Sequence, residues 1–446
     1  MDGSTTLTGV TRQRAQSARN AVAASTIGSI LEYYDFFVYG TMAALVFGEI
    51  FFPTDVPAVS SLLALLTFTL GFMARPLGGI IIGHFGDRIG RKPLLLFTFM
   101  LTGIVTVLIG LLPTYAQIGL AAPLLLVFLR ILQGIGIGGE WGGAALMAVE
   151  HAPAKKTGLY GSLVQAGAPV GVILSSSVVA LLTATLTREQ LVAWGWRLPF
   201  LASALLLIVG LFLRWKVTET PEFDRLKEGR AQVKVPVWQA IRRYPGQIVT
   251  AILIHTSDTT LGLIQSVFVL GYASGVLGMD PTVVLLANVF AAVTNLITTP
   301  LAGALGDRIG QKRVVSIGLV GLALWAFPMF LLIGTETVGG LFLAVGVGGV
   351  LVGWLFSGQA TLFASFFSPE VRYSGMSLGF QIGTVIGGGF GPLIAQALTT
   401  AAGGSTWPVS LYMVLVAVVA FVATQLVKAG YGAHAEQTLA TGENTK

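Results

Sequence analysis

Seven ionisable side chains fall inside long apolar stretches of this sequence: Glu32, Asp35, Arg75, Arg130, Glu140, His255 and Asp258. Charge in an apolar setting is costly and survives when it is paired or faces water, so each is a functional candidate by default. Gly28, Glu32, Asp35 and Tyr39 recur at spacings of four, three and four, which puts them on one helical face. Asp35 lies about 21 Å along its helix at ~1.5 Å per residue, and Arg130, on a helix of opposite direction, lies about 14 Å from the other boundary. A carboxylate and a guanidinium at that common depth can form a proton switch, the acid staying ionised while paired and holding a proton when the pair separates. Asp35 or Glu32 is the expected proton carrier, and Arg130 its release partner. The competing reading is a structural ion pair that only fixes packing.

Candidates for binding a substrate are more scattered. Arg75 offers a permanently charged fork suited to a carboxylate, with Glu140 as an alternative partner. His255 and Asp258 stand one turn apart, and an imidazole can titrate near neutral pH. Tyr39, Gln165, Asn288 and Gln381 complete the expected lining, with Ser162, Asn295, Ser377 and Thr384 on the same polar stripes. Polar residues of this kind also bond to a neighbouring helix without touching a ligand.

The elements that must carry these groups are membrane helices. Of the 446 residues, 54% are hydrophobic and 10% charged, against roughly 25% charged in soluble chains. About 20 apolar residues cross a bilayer. Expected spans are 21–47, 58–82, 93–113, 121–149, 158–184 and 196–217, then 246–275, 281–305, 313–333, 338–366, 373–400 and 406–428. The expected fold is all-α, with twelve transmembrane helices in two pseudo-symmetric halves. It divides into a cytoplasmic tail 1–20, a six-helix half 21–217, a charged connector 218–245, a second half 246–428 and a tail 429–446. With the N-terminus inside, 22 of the 26 Lys and Arg lie on the inner side, leaving Arg75 and Arg130 within spans and Arg188 and Arg197 outside. The net charge of +6 is therefore topology, and nucleic acid is not an expected partner. The apolar first segment contains Glu32 and Asp35 and reads as a retained span rather than a removable signal peptide.

An internal repeat supports two halves. Gly83-His-Phe-Gly-Asp-Arg-Ile-Gly-Arg-Lys92 recurs 220 residues later as Gly303-Ala-Leu-Gly-Asp-Arg-Ile-Gly-Gln-Lys312. Gly83 and Gly90 would permit close approach and turning. Asp87 could accept from a helix N-terminus or from Arg91, and Asp307 would act likewise beside Gly306 and Arg308. Contacts of that kind would latch the inner side, whereas a topology signal alone would account only for basic residues such as Arg88 and Lys92. Enzyme readings find no support, since nucleophile-elbow, phosphate-loop and zinc-protease patterns do not occur. The glycine row after Gly136 sits in an apolar helix and reads as packing surface. The chain has no cysteine, its four histidines are scattered, and no metal or cofactor is implied.

The doubled loop motif is similar to that of the major facilitator superfamily. Further segments resemble its metabolite:proton symporter family: Glu32-Tyr-Tyr-Asp-Phe-Phe-Val-Tyr-Gly40, Gly71-Phe-Met-Ala-Arg-Pro-Leu-Gly-Gly79, Arg130-Ile-Leu-Gln-Gly-Ile-Gly-Ile-Gly-Gly-Glu-Trp-Gly-Gly143 and Arg372-Tyr-Ser-Gly375. The resemblance implies a monomeric, multi-pass transporter in a bacterial cell membrane. It would import a small organic acid or zwitterion with a proton by alternating access, hydroxylated or dicarboxylic acids ahead of betaines. A proton-driven exporter is one rival, disfavoured because Gly171 is followed by Val172 where exporters carry proline. A membrane sensor that has kept the transport fold is the other.

Overall fold

The computed structural model describes residues 3–55, 57–153, 155–215 and 236–426. Ten described helices are long and apolar enough to cross a membrane: Arg91–Leu111, Ala121–His151, Thr157–Thr185, Arg197–Trp215, Pro245–Gly275, Thr282–Ile309, Gln311–Ile333, Val338–Phe366, Arg372–Ala401 and Trp407–Leu426. The bent pair Arg19–Met42 and Leu45–Phe51 supplies the first span. Pro57–Ile89, a helix of 33 residues, supplies the second. The described helices thus follow the anticipated order, six before the connector and six after it. The first helix starts at Gly3, so the tail expected over 1–20 is helical almost throughout. Within the connector the described part is a short helix, Pro236–Arg243. The second tail, and the connector before Pro236, lie outside the described residues.

Small residues determine how closely the spans approach. A methyl group on Gly134 would sit 2.2 Å from the Gly71 carbonyl oxygen, and one on Gly138 would sit 2.0 Å from that of Arg75. The second and fourth spans therefore touch backbone to backbone, a contact that only glycine permits. The glycine row is packing surface, and it fixes the backbone that carries Arg75. Facing outward, Leu205, Leu324 and Leu331 are 69%, 73% and 73% exposed. Exposure on that scale around a bundle suits lipid as the solvent.

Three spans contain a wider π-helical turn: Ala43–Phe47 in the first, Ile264–Phe268 in the seventh and Val385–Gly389 in the eleventh. The first two lie at pseudo-equivalent positions, 221 residues apart. The fifth span breaks at Ala166 and the tenth at Gly358. Such turns are the usual cause of a local bend. At the inner ends, Gly90 and Gly310 take φ of 126° and 96°. Each lets the chain reverse in one residue between consecutive spans, which explains a glycine at the same place in both motif copies.

Candidate functional site

The face of the first span that carries Gly28, Glu32, Asp35 and Tyr39 meets five different partners. A methyl on Gly28 would collide with the Arg214 guanidinium, 1.9 Å away. Glu32 pairs with Arg75 of the second span at 3.4 Å. Asp35 Oδ2 accepts from Thr106 Oγ1 of the third span at 2.5 Å. The Tyr39 hydroxyl shares a 2.5 Å hydrogen bond with Thr67, and the Arg130 guanidinium lies 3.7 Å above the Tyr39 ring.

Asp35 and Arg130 do not meet directly. Arg130 donates to Gln133 Oε1, Gln133 Nε2 donates to Thr106 Oγ1 at 2.7 Å, and Thr106 completes the path to Asp35. The expected ion pair is replaced by a three-bond relay. Gln133, one turn from Arg130 on the fourth span, supplies the bridging side chain. Asp35 is 1% exposed, and its Oδ1 makes no hydrogen bond.

Glu140 is engaged within its own half. Arg214 Nη2 donates to Glu140 Oε1 at 2.6 Å, while Nη1 and Nε donate to the Leu95 and Ala24 carbonyls at 2.8 and 3.3 Å. The guanidinium also covers the Phe99 ring at 3.8 Å. Arg214, in the last turn before the connector, is 1% exposed and therefore turned into the bundle. Near the end of its span, it folds inward through the gap left by Gly28 and ties the first, third, fourth and sixth spans together. Arg75 is accordingly matched with Glu32, not Glu140.

Across the seam, the Phe380 ring lies between Trp141 and His255, with centroid separations of 3.7 and 3.6 Å. This stack joins the fourth span of one half to the seventh and eleventh of the other. His255 Nδ1 lies 3.0 Å from Gln359 Oε1 and 3.7 Å from Asp258, and Nε2 lies 2.9 Å from Thr384 Oγ1. Gln381 is fully buried, yet neither its amide oxygen nor its nitrogen has a hydrogen-bond partner; Asp258 Oδ1, Gln359 Nε2 and Ser377 Oγ are alike in this. Gly79, one turn from Arg75, faces the Gln381 side chain: a methyl group there would sit 3.2 Å from Gln381 Cγ. Buried polar atoms without partners are what a polar ligand or water would satisfy.

Two expected lining residues bond elsewhere. Gln165 accepts from Trp141 Nε1 at 2.8 Å and donates to the Phe356 carbonyl. Asn288 donates to the Ser266 carbonyl at 2.8 Å, joining two spans of the second half. Both are explained by helix contacts.

At the inner side, Asp87 accepts from the Tyr373 and Ser374 N–H groups at 3.2 and 3.0 Å and from the Ser374 hydroxyl at 2.7 Å. Asp307 accepts from the Gly158 and Leu159 N–H groups at 2.7 and 3.0 Å. Each carboxylate therefore caps the N-terminus of a helix in the opposite half, where partial positive charge is concentrated. Gly83 permits this approach, since a methyl there would meet Ser374 Cα at 3.0 Å; one on Gly306 would meet Gln311 at 2.2 Å. Arg91 donates to the Pro369 carbonyl at 3.1 Å and lies 3.7 Å from Glu150, which also receives Arg372 at 3.2 Å. The second copy has Gln311 at the Arg91 position, so this charge bridge exists on one side only. Arg88 and Arg308 are exposed and stand outside these contacts.

Thr106, Gln133, Arg214, Glu150 and Gln359 were not singled out from the sequence. Thr98, Thr102 and Thr106 recur every four residues on the third span, and that stripe was a usable signal. Arg214 gave none, because an arginine at a span end normally reaches outward.

Two family models match the chain: "Sugar (and other) transporter" over residues 21–235 and "Major Facilitator Superfamily" over residues 248–438. The shikimate transporter of Escherichia coli is 39% identical over 89% of this chain and 91% of its own length. The inner membrane metabolite transport protein YhjE of the same organism is 39% identical over 86% of this chain and 89% of its own. A proline/betaine transporter of Escherichia coli is 32% identical over 91% of this chain and 82% of its own. The solved proton:xylose symporter XylE, bound to 6-bromo-6-deoxy-D-glucose, superposes with a TM-score of 0.73 at 18% identity, covering 92% of this chain and 95% of that one. Spans, doubled loop motif and these likenesses agree: the chain is a multi-pass membrane transporter, not an enzyme, and belongs to the major facilitator superfamily.

Proposed function

We propose that this protein imports a small carboxylate, a hydroxylated or dicarboxylic acid, together with a proton. The observation that carries this reading is the seam itself. Arg75, held at 3.4 Å by Glu32, stands one turn from Gly79, which faces the unpartnered Gln381 of the other half. A guanidinium with a second carboxylate as competitor can exchange Glu32 for a substrate carboxylate. The free polar atoms of Gln381, Gln359 and Asp258 suit hydroxyl groups on that substrate. The names of two relatives, a shikimate transporter and a proline/betaine transporter, bracket the choice between acid and zwitterion.

Asp35 is the proton carrier in this reading, and the capping contacts of Asp87 and Asp307 hold the inner side closed until they break. A monocarboxylate carried with one proton moves no net charge, so of the two gradients only the pH gradient drives it. A zwitterion carried with one proton also draws on the membrane potential, worth about 2.3 kcal/mol per 100 mV. Uptake of shikimate and of glycine betaine into proteoliposomes, with pH gradient and potential imposed separately, tests the reading. Shikimate accumulation that follows the pH gradient is expected, and Asp35→Asn should abolish it while sparing exchange. Uphill uptake that survives in Asp35→Asn removes Asp35 from this role.

A further inference from the structure

The Thr106 hydroxyl has three polar neighbours and a single hydrogen. Its Oγ1 lies 2.5 Å from Asp35 Oδ2, 2.9 Å from the Thr102 carbonyl and 2.7 Å from Gln133 Nε2. The orientation of the Gln133 amide is fixed by its other end, since Arg130 can only donate and must face Oε1. Gln133 Nε2 therefore donates to Thr106 whatever else happens. The one hydroxyl hydrogen goes either to Asp35 or to the Thr102 carbonyl.

Protonation of Asp35 decides between them. An ionised Asp35 only accepts, so Thr106 donates to it, and every bond from Arg130 through Gln133 and Thr106 points toward the carboxylate. Bonds aligned in this way strengthen one another. A protonated Asp35 donates from Oδ2 to the free lone pair of Thr106, and the hydroxyl hydrogen turns to Thr102. Both arrangements satisfy Thr106 Oγ1, Asp35 Oδ2 and Gln133 Nε2 without moving a heavy atom, but only the first is an unbroken donor chain joining the fourth, third and first spans.

We propose that Thr106 is the positioning residue through which the protonation state of Asp35 is passed to Arg130, by reversal of its hydroxyl. The proposal rests on Asp35 being the proton carrier. Proton uptake loosens the first span from the third and fourth, and proton release tightens it. The charged and titratable groups around Asp35 are Glu32 and Tyr34 on its own span, Arg75 through Glu32, Arg130 and Glu140 on the fourth, and Arg214 on the sixth through Glu140.

The test needs no substrate. Because the chain lacks cysteine, spin labels at Ile89→Cys and Arg308→Cys report the inner-side separation as a function of pH in nanodiscs. Thr106→Val removes the donor to the ionised acid at constant volume, so the midpoint of the pH response should move alkaline by about one unit. Thr106→Ser should retain the original midpoint. Gln133→Met, which cuts the next link, should flatten the response, and it keeps the test open if Thr106→Val does not fold. A Thr106→Val curve that overlays the parent overturns the proposal when Asp35→Asn abolishes the response, as does an unflattened Gln133→Met curve. An unchanged response in Asp35→Asn itself defeats the assignment of Asp35, a separate failure.

Discussion

Replacing Asp87 by asparagine removes one charge and leaves the side chain's shape nearly intact. Asp87 is 3% exposed and receives three hydrogen bonds, two from backbone N–H groups at the start of the helix beginning at Arg372. A hydrogen bond to a charged group contributes about 1.5–3 kcal/mol and a neutral one about 0.5–1.5. Asparagine keeps an accepting oxygen for the two bonds at Ser374, so the loss there is about 1 kcal/mol each. Loss of the anion at a helix N-terminus adds about 0.5–1 kcal/mol. The bond from the Tyr373 N–H, which would then face the amide NH2, is lost outright at about 1.5–3 kcal/mol, so the sum is about 4–6 kcal/mol and shifts the ratio of closed to open inner side by about 1000-fold or more. Distance distributions between spin labels at Ile89→Cys and Arg308→Cys measure that ratio directly. Asp307 receives two bonds and is only half-buried, so Asp307→Asn should shift the ratio less, by about tenfold. Both latches break in one rocking motion, so the double variant should show the sum of the two effects in free energy. A change below about threefold in Asp87→Asn would refute the reasoning, since it would mean the cap adds nothing to closure.

Two further outcomes follow from buried charge. Arg214→Met leaves Glu140 without its partner and should destabilise the protein by about 3–5 kcal/mol, seen as an earlier unfolding transition by intrinsic fluorescence; Arg214→Met with Glu140→Leu should recover most of that loss. If the single and double variants unfold alike, the pair is not the clamp described. Arg75→Lys keeps the charge but loses the fork, so shikimate affinity measured by equilibrium binding should fall at least about tenfold, with Asp35-dependent proton coupling preserved. Equal affinity in that variant would return Arg75 to a packing role.

How much of this was legible beforehand differs by kind of information. The spans could be read because a bilayer imposes a length and a polarity on each helix independently of its neighbours. An expected span of 338–366 against an observed Val338–Phe366 illustrates this. The inner loop motif was equally legible, because a glycine that must take positive φ and an aspartate beside it recur in both halves at Gly90 and Gly310. One helical face was also open to inspection: Gly28, Glu32, Asp35 and Tyr39 do share a side.

Which groups meet across that face was decided only by tertiary structure. Spacing along one helix fixes direction, but a partner comes from another helix whose rotation and height depend on packing throughout the bundle. Asp35 met Thr106, with Gln133 linking on to Arg130, and Glu140 found Arg214 because Gly28 left room for it. Those choices turn on gaps of a few ångströms between elements distant in sequence. Periodicity within a single segment carries no information about such gaps.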